Sequence, residues 1–167
     1  MFEQFYPDEW LDSAYDIDYE GLYESGFRGL IFDIDNTLVP HGAPADERAV
    51  ALFEKLKEIG FSCCLLSNNK EARVRMFNRE IGVDYIFKGG KPGRRGYEKA
   101  MKKMGTDRTN TIFIGDQLFT DVWGAKRAGI RNILVKPINP KEEIQIVLKR
   151  RLEWIVLSFY KKQRKNS

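Results

Sequence analysis

The chain is poor in the side chains from which many catalytic and metal sites are built. It has one histidine, His41, and two cysteines, Cys63 and Cys64, among 167 residues. One histidine cannot form a histidine-based metal centre, and we expect His41 to be an exposed loop residue. Two adjacent cysteines in an apolar run exclude a disulfide framework and are predicted to be reduced core thiols. The chemistry of this protein must therefore come from other residues.

Long apolar stretches are also missing from the sequence. No run reaches the roughly 20 residues that cross a bilayer, and the first residues lack the basic start of a signal peptide. Hydrophobic residues make up 43% of the chain and charged residues 31%, which is ordinary for a globular protein. We therefore expect one domain with a sizeable core and a cytoplasmic location.

Basic residues are absent from the first 20 positions, which carry seven acids. The whole chain nevertheless has a net charge of +4, and residues 141–167 contain eight bases against three acids. Because the basic residues do not form one continuous stripe, nucleic-acid binding is permitted but not favoured. Anionic substrates or surfaces fit the charge equally well.

Apolar runs that predict strands alternate with segments of helical periodicity. The strands are predicted at 30–32, 61–66, 85–87, 111–114 and 133–135, and the helices at 44–59, 71–81, 95–104 and 120–128. This alternation predicts an α/β fold, a three-layer Rossmann-like parallel sheet of five strands with helices on both faces. We expect residues 1–27 to be an acidic, aromatic arm packed on the body, 28–137 the core, and 138–167 a C-terminal amphipathic helix with a basic tail.

Polar residues follow four of the predicted strands. Asp33 and Asp35 end the first, Ser67 the second and Asp116 the fourth, while Lys91 comes soon after the third and competes for its role with the nearby Lys88. Any one of these residues could be a cap or turn residue. Because parallel strands place their carboxyl ends at one edge of the sheet, we expect the whole set to converge on one crevice.

Three carboxylates and a lysine at one sheet edge suit a hard divalent cation, and magnesium is the expected cofactor. Magnesium beside a lysine suits a phosphoryl group, whose charge must be spread during transfer. One carboxylate of such a site can be the nucleophile, forming an aspartyl-phosphate that water then hydrolyses. A second can protonate the leaving oxygen and afterwards deprotonate the water.

The motifs at these strand ends resemble those of the haloacid dehalogenase-type phosphatases. They are Asp33-Ile34-Asp35-Asn36-Thr37, Ser67, Lys91-Pro92, and Gly115-Asp116 with Asp121, and the resemblance covers residues 28–137. It implies that Asp33 is the nucleophile and Asp35 the general acid/base. Lys91 would balance the charge on the nucleophile and on the phosphate. The implied phosphate-binding residues are Thr37, Ser67, Asn68 and Lys91. The implied magnesium site consists of Asp33, Asp35 through its backbone carbonyl, and Asp116, supported from outside by Asp121.

The connections between these motifs are too short to hold a cap domain, and the resemblance implies the strand order 5-4-1-2-3. The whole sequence resembles the capless YqeG-like branch of subfamily IIIA, which is related to the mitochondrial phosphatidylglycerophosphatase. This implies magnesium-dependent hydrolysis of a phosphomonoester, with phosphatidylglycerophosphate as the expected substrate. An open cleft admits a phosphate displayed on something large, so nucleic-acid ends, nucleotides and phosphoproteins are alternatives. A non-catalytic phospho-acceptor is a further one.

Residues 141–165 are predicted to form an amphipathic helix. Apolar residues recur at steps of three and four, and basic clusters at 149–151 and 161–165 flank them. Such a helix either lies on an anionic membrane surface, packs on the sheet, or joins two copies in a homo-oligomer. A peripheral place at the inner face of the membrane is therefore expected as an alternative to a purely cytoplasmic one.

Overall fold

The computed structural model describes residues 1–139 and 144–166. Within these residues, six parallel strands form one sheet in the order β1-β6-β5-β2-β3-β4. The strands are β1 (Glu9–Leu11), β2 (Gly29–Phe32), β3 (Ser62–Leu66), β4 (Asp84–Ile86), β5 (Thr111–Gly115) and β6 (Arg131–Val135). The helices are α1 (Tyr19–Glu24), α2 (Glu47–Ile59), α3 (Glu71–Asn78), α4 (Arg95–Met104), α5 (Trp123–Arg127) and α6 (Ile144–Lys165).

The parallel α/β sheet is confirmed, but the prediction of five strands is wrong. The five predicted strands correspond to β6-β5-β2-β3-β4 and stand in the predicted order. The sixth, β1, comes from the N-terminal arm and pairs in parallel with β6, with Glu9 beside Ile133 and Leu11 beside Val135. β1 is only three residues long and half-buried, so it carries neither a buried run nor a clear alternation. Its extended conformation is explained by its pairing with β6.

Helix boundaries differ from the predicted ones where capping decides them. α2 begins at Glu47 rather than near Pro44, because the Asp46 side chain accepts a hydrogen bond from the Ala49 N–H at 2.8 Å. α3 ends at Asn78, three residues before its predicted end. The segment predicted as one helix at 120–128 is a π-helix, Leu118–Val122, followed by α5.

Side chains of β2 alternate between the two faces of the sheet. Leu30 and Phe32 enter the core beneath α1, α2 and α3, whereas Ile31 enters the core beneath α4 and α5. Between β2 and β3, and again between β3 and β4, the described chain contains a single helix, so neither connection holds a cap domain. No cap domain in these two connections therefore covers the carboxyl edge of the sheet.

The C-terminal helix packs on the body of the protein. It was predicted to begin at Lys141, but residues 141–143 lie outside the described residues, and α6 is described from Ile144. Val156 and Tyr160 are buried, and the arm aromatics Phe2, Tyr6 and Trp10 contact this end of α6. Among the described helices, none is long and apolar enough to cross a membrane.

Candidate active site

The loop after β2 presents the first carboxylate of the site. Asp33 directly follows β2 and is buried, and Thr37 approaches it from the same loop, with Oγ1 3.4 Å from Asp33 Oδ2 and 3.1 Å from Asp116 Oδ1. Asn36 turns the loop with a positive φ of 61°, a conformation that asparagine tolerates better than most residues. Thr37, which belongs to the loop after β2, thus connects that loop to the loop after β5.

Lys91 lies between two of the buried carboxylates. Its Nζ atom is 3.0 Å from Asp33 Oδ1 and 2.6 Å from Asp121 Oδ1. Asn68 holds the backbone of Lys91, donating from Nδ2 to its carbonyl at 3.0 Å and accepting its N–H at 2.8 Å. The Asn68 side chain, which is predicted to bind phosphate, is thus hydrogen-bonded to the Lys91 backbone and positions that residue.

Asp33, Asp116 and Asp121 form one buried cluster, with one carboxylate oxygen of each within 4.8 Å of the others. Asp121 projects from the π-helix back toward Gly115, and its Oδ2 accepts the Gln117 N–H at 3.1 Å. A Cβ atom at position 115 would lie 2.5 Å from Asp121 Oδ2, so only glycine leaves room for this carboxylate. Asp121, predicted to support the metal site from outside, is thus a member of the cluster itself.

The Asp35 carboxylate points elsewhere. It accepts hydrogen bonds from the Gly42 N–H at 2.8 Å, from Asn69 Nδ2 at 2.8 Å and from Arg73 Nη2 at 2.9 Å. Burial alone would raise the pKa of Asp35, but the Gly42 N–H and the Arg73 guanidinium together hold that pKa below its usual value. The two acids that follow β2 therefore face different partners: Asp33 meets Asp116 and Asp121, and Asp35 meets Arg73.

Ser67 lies where β3 ends and is buried. Its Oγ accepts the Asn69 N–H at 3.0 Å, and its backbone carbonyl accepts the Gly89 N–H at 2.8 Å. These contacts tie the loop after β3 to the loop that carries Lys91. Ser67 therefore stands at the predicted edge of the sheet, next to the segment that places the lysine.

Two residues of α6 reach the site although sequence reasoning did not assign them to it. Arg150 donates from Nη2 to Asp116 Oδ2 at 2.5 Å and from Nη1 to the Asp116 carbonyl at 2.6 Å. Glu153 accepts the Leu118 N–H at 3.0 Å, which fixes the start of the π-helix. One signal was available, since Glu153 is the single acid in the sequence of α6.

The cluster carries more negative than positive charge. Three carboxylates face two cations, Lys91 and Arg150. Burial and the neighbouring Asp121 raise the pKa of Asp33 well above its usual value despite Lys91, and they raise the pKa of Asp116 to about 6 despite Arg150. For Lys91, burial would lower the pKa, but Asp121 and Asp33 outweigh it and raise the pKa. An oxygen-only donor set with excess negative charge fits a hard divalent cation.

This excess charge predicts that a divalent cation stabilises the protein more at high pH than at low pH. Because the pKa values of Asp33 and Asp116 are raised, the stability that these two groups contribute without metal is fully present below the unfolded carboxyl pKa of about 4 and is lost as the pH rises through the folded values. A bound cation removes that loss. We expect the rise in Tm on replacing chelator with Mg²⁺ to be larger at pH 8 than at pH 5 by about 3–8 °C.

Thermal unfolding from pH 5 to pH 8, with Mg²⁺ or with chelator, measures this difference. Asp116→Asn should lose most of the metal response, whereas the exposed Asp16→Asn should keep it. An equal metal response at both pH values would contradict a cation at this cluster.

The fold and the cluster together define a class of protein. A buried lysine shared by carboxylates, at the carboxyl edge of a parallel sheet, suits the binding of a phosphoryl group. A family model described as haloacid dehalogenase-like hydrolase matches residues 41–129. The probable phosphatase YqeG of Bacillus subtilis (strain 168) is 36% identical over 165 residues, which cover 98% of this chain and 96% of that protein.

Two further proteins resemble this chain, one in sequence and one in fold. The chloroplastic/mitochondrial phosphatidylglycerophosphate phosphatase 1 of Arabidopsis thaliana is 30% identical over 158 residues, covering 84% of this chain and 44% of that protein. The fold is similar to the crystal structure of an uncharacterized protein from Listeria monocytogenes serotype 4b, with a TM-score of 0.54 and 20% identity over 70% of this chain and 85% of that chain. The chain belongs to the haloacid dehalogenase-like hydrolases. The predicted enzyme class, a phosphatase of the haloacid dehalogenase type, is thereby confirmed.

Proposed function

We propose that this protein is a magnesium-dependent phosphomonoester hydrolase that acts through a phosphorylated Asp33, with phosphatidylglycerophosphate as its substrate. One observation carries the proposed chemistry. The Lys91 ammonium bridges Asp33 and Asp121 at 3.0 and 2.6 Å, beside a third buried carboxylate, at an edge of the sheet that no cap covers. Such an arrangement keeps a nucleophile and positive charge at one point that a phosphate can approach from outside.

In the first step, an Asp33 oxygen forms a bond to phosphorus while the bond from phosphorus to the leaving alcohol oxygen breaks. Lys91, 3.0 Å from Asp33, balances the negative charge of the nucleophile and of the phosphoryl oxygens. In the second step, water attacks phosphorus, the bond to Asp33 breaks, and inorganic phosphate leaves. Asp33 is then regenerated for another turnover.

Asp35 is the proposed proton carrier, giving a proton to the leaving alcohol and taking one from the attacking water. In the resting site its carboxylate is held by Arg73, with Nε and Nη2 at 3.2 and 2.9 Å from Oδ1. The lowered pKa of Asp35 disfavours the protonated form there. We therefore infer that the Arg73 contact loosens when the leaving group arrives.

Magnesium is the proposed cation. Asp33 and Asp116 would hold it through carboxylate oxygens, with the Asp35 backbone carbonyl as a further ligand, and Asp121 joins them in the same buried cluster. When bound, it supplies positive charge that stabilises the negative charge of the phosphoryl oxygens. Thr37, between the Asp33 and Asp116 carboxylates, keeps the two loops in register for this site.

The lipid assignment has two supports. The Arabidopsis relative is named as a phosphatidylglycerophosphate phosphatase, although this chain spans less than half of its length. In addition, the connections that would hold a cap each contain a single helix in the described chain, so the site cannot enclose a small metabolite within one copy. A phosphate displayed on a lipid can reach such a cleft without leaving its surface.

A substrate comparison tests the proposal. Purified protein with Mg²⁺ is expected to hydrolyse phosphatidylglycerophosphate in detergent micelles with a kcat/KM at least about 100-fold above that for an oligonucleotide 5′-phosphate or a phosphopeptide. A generic aryl phosphate reports the chemistry independently of specificity. Hydrolysis of the aryl phosphate without hydrolysis of the lipid would overturn the proposed substrate. Faster phosphate release from the oligonucleotide would favour a nucleic-acid phosphatase, and faster release from the peptide would favour a phosphoprotein phosphatase.

A further inference from the structure

Helix α6 is anchored at the active site by one of its faces. Arg150 donates to the Asp116 carboxylate and carbonyl, and Glu153 accepts the Leu118 N–H. One and two turns further along, Val156 and Tyr160 are buried against the body. The orientation of this helix relative to the site is therefore set by direct contacts with the loop that follows β5.

Beside the buried side of α6, a second side of the helix is apolar and exposed. Leu148, Leu152, Ile155 and Phe159 are 57%, 58%, 44% and 47% exposed, and their spacing of four, three and four residues places them on one line along the helix. Phe159 also makes an edge contact with the Phe2 ring at 5.7 Å. With Trp154 at 70%, α6 contributes five of the seven large exposed hydrophobic residues of the described chain. A concentration of this kind marks an interaction surface.

The charge around this apolar line has one sign. Arg151 borders its first half, between Leu148 and Leu152 in the chain, and Lys162 lies beyond its last residue. Lys161 and Lys165 are also exposed at the C-terminal end of the helix. Glu153, the single acid of α6, is buried and paired with Arg150, so it does not offset them at the surface. An apolar line bordered by cations on an exposed helix surface is typical of a helix that lies at the interface of an anionic bilayer.

We propose that this face of α6, defined by Leu148, Leu152, Ile155 and Phe159 with Arg151 and Lys162, docks on an anionic membrane surface. A second copy fits the face less well, because a base borders the first half of the line and another follows its last residue, so either pairing direction brings like charges near each other. The proposal rests on the proposed function, since docking serves catalysis only if the phosphate is displayed on the bilayer. Arg150, between Leu148 and Leu152 in the chain, would then hold the site beside that surface.

Vesicle co-sedimentation with the full chain tests the docking. We expect the protein to bind vesicles of equal parts phosphatidylglycerol and phosphatidylcholine, and to bind pure phosphatidylcholine vesicles weakly. Leu152→Glu should reduce binding to the anionic vesicles at least about 10-fold, because it removes an inserted side chain and adds a like charge to the lipid. The matched control is Ala51→Glu, which makes the same charge change on an exposed position of α2.

The double variant Arg151→Gln/Lys162→Gln should weaken binding about 10- to 30-fold, and added salt should weaken wild-type binding. Both α6 variants should keep wild-type thermal unfolding and wild-type hydrolysis of aryl phosphate, because their side chains are exposed and lie outside the cluster. Equal vesicle binding by Leu152→Glu and Ala51→Glu would overturn the docking. So would a wild-type dimer in light scattering that Leu152→Glu makes monomeric, which would assign the face to a second copy.

Hydrolysis of phosphatidylglycerophosphate in detergent micelles separates this proposal from the proposed function. Micellar hydrolysis without vesicle binding would overturn the docking alone. Vesicle binding without micellar hydrolysis would support the docking face and overturn the substrate.

Discussion

Asp33→Asn is expected to lower the turnover of any phosphomonoester by about 10⁴-fold or more while the fold remains intact. An amide does not attack phosphorus as a carboxylate does, and Asp33 is the carboxylate that Lys91 and Thr37 both approach. The variant also removes one of the three carboxylates that a divalent cation would use. The measurement is kcat with an aryl phosphate and Mg²⁺, at an enzyme concentration high enough to detect the residual rate.

The stability of Asp33→Asn provides an independent check. The raised pKa of Asp33 indicates that its ionised form is costly in the metal-free protein, mainly because of burial and the neighbouring Asp121. Removing this charge leaves two carboxylates facing Lys91 and Arg150. We therefore expect the Tm in chelator at pH 8 to equal or exceed that of wild type by a few degrees. The exposed Asp16→Asn should change neither property, and retained turnover in Asp33→Asn would remove it as the nucleophile.

Local sequence patterns predicted the central part of the fold because the central strands are buried on both faces. β2 and β5 read as short apolar runs, and the polar residues that follow them stand out against those runs. The convergence of Asp33, Lys91 and Asp116 then followed from a general property of parallel sheets. The direction of each side chain did not follow, which is why the orientation of Asp35 toward Arg73 was not predicted.

Contacts made across long stretches of chain were beyond the sequence patterns. Arg150 lies 34 residues after Asp116, in a helix whose sequence could be satisfied on a membrane, on the sheet or in a dimer. β1 was missed for the same reason, because its strand conformation is explained by pairing with β6, more than 120 residues away. Of these three alternatives, the structure shows that α6 packs on the body by one face, and it leaves the apolar line of the helix exposed.

Lys91→Met is expected to reduce both stability and turnover. Methionine has a similar length but no charge, so Asp33 and Asp121 would lose the ammonium now 3.0 and 2.6 Å from them. Removing one partner of a buried ion pair costs roughly 3–5 kcal/mol. Loss of the positive charge should lower kcat about 10²- to 10³-fold, the range measured for the loss of one group that stabilises a developing negative charge.

The pH dependence of the stability of Lys91→Met gives a sharper test of whether Lys91 neutralises the buried carboxylates. Without the ammonium, the pKa of Asp33 rises further above its unfolded value, so the loss of stability should be largest at pH 8 and shrink as the pH falls toward about 4. Urea unfolding from pH 4 to pH 8 in chelator measures this slope. The matched control is the exposed Lys88→Met, which should unfold and turn over like wild type. If Lys88→Met lost turnover and Lys91→Met kept it, Lys88 would have the role assigned to Lys91. If the loss of stability in Lys91→Met did not vary with pH, it would come from lost packing rather than from unpaired carboxylates.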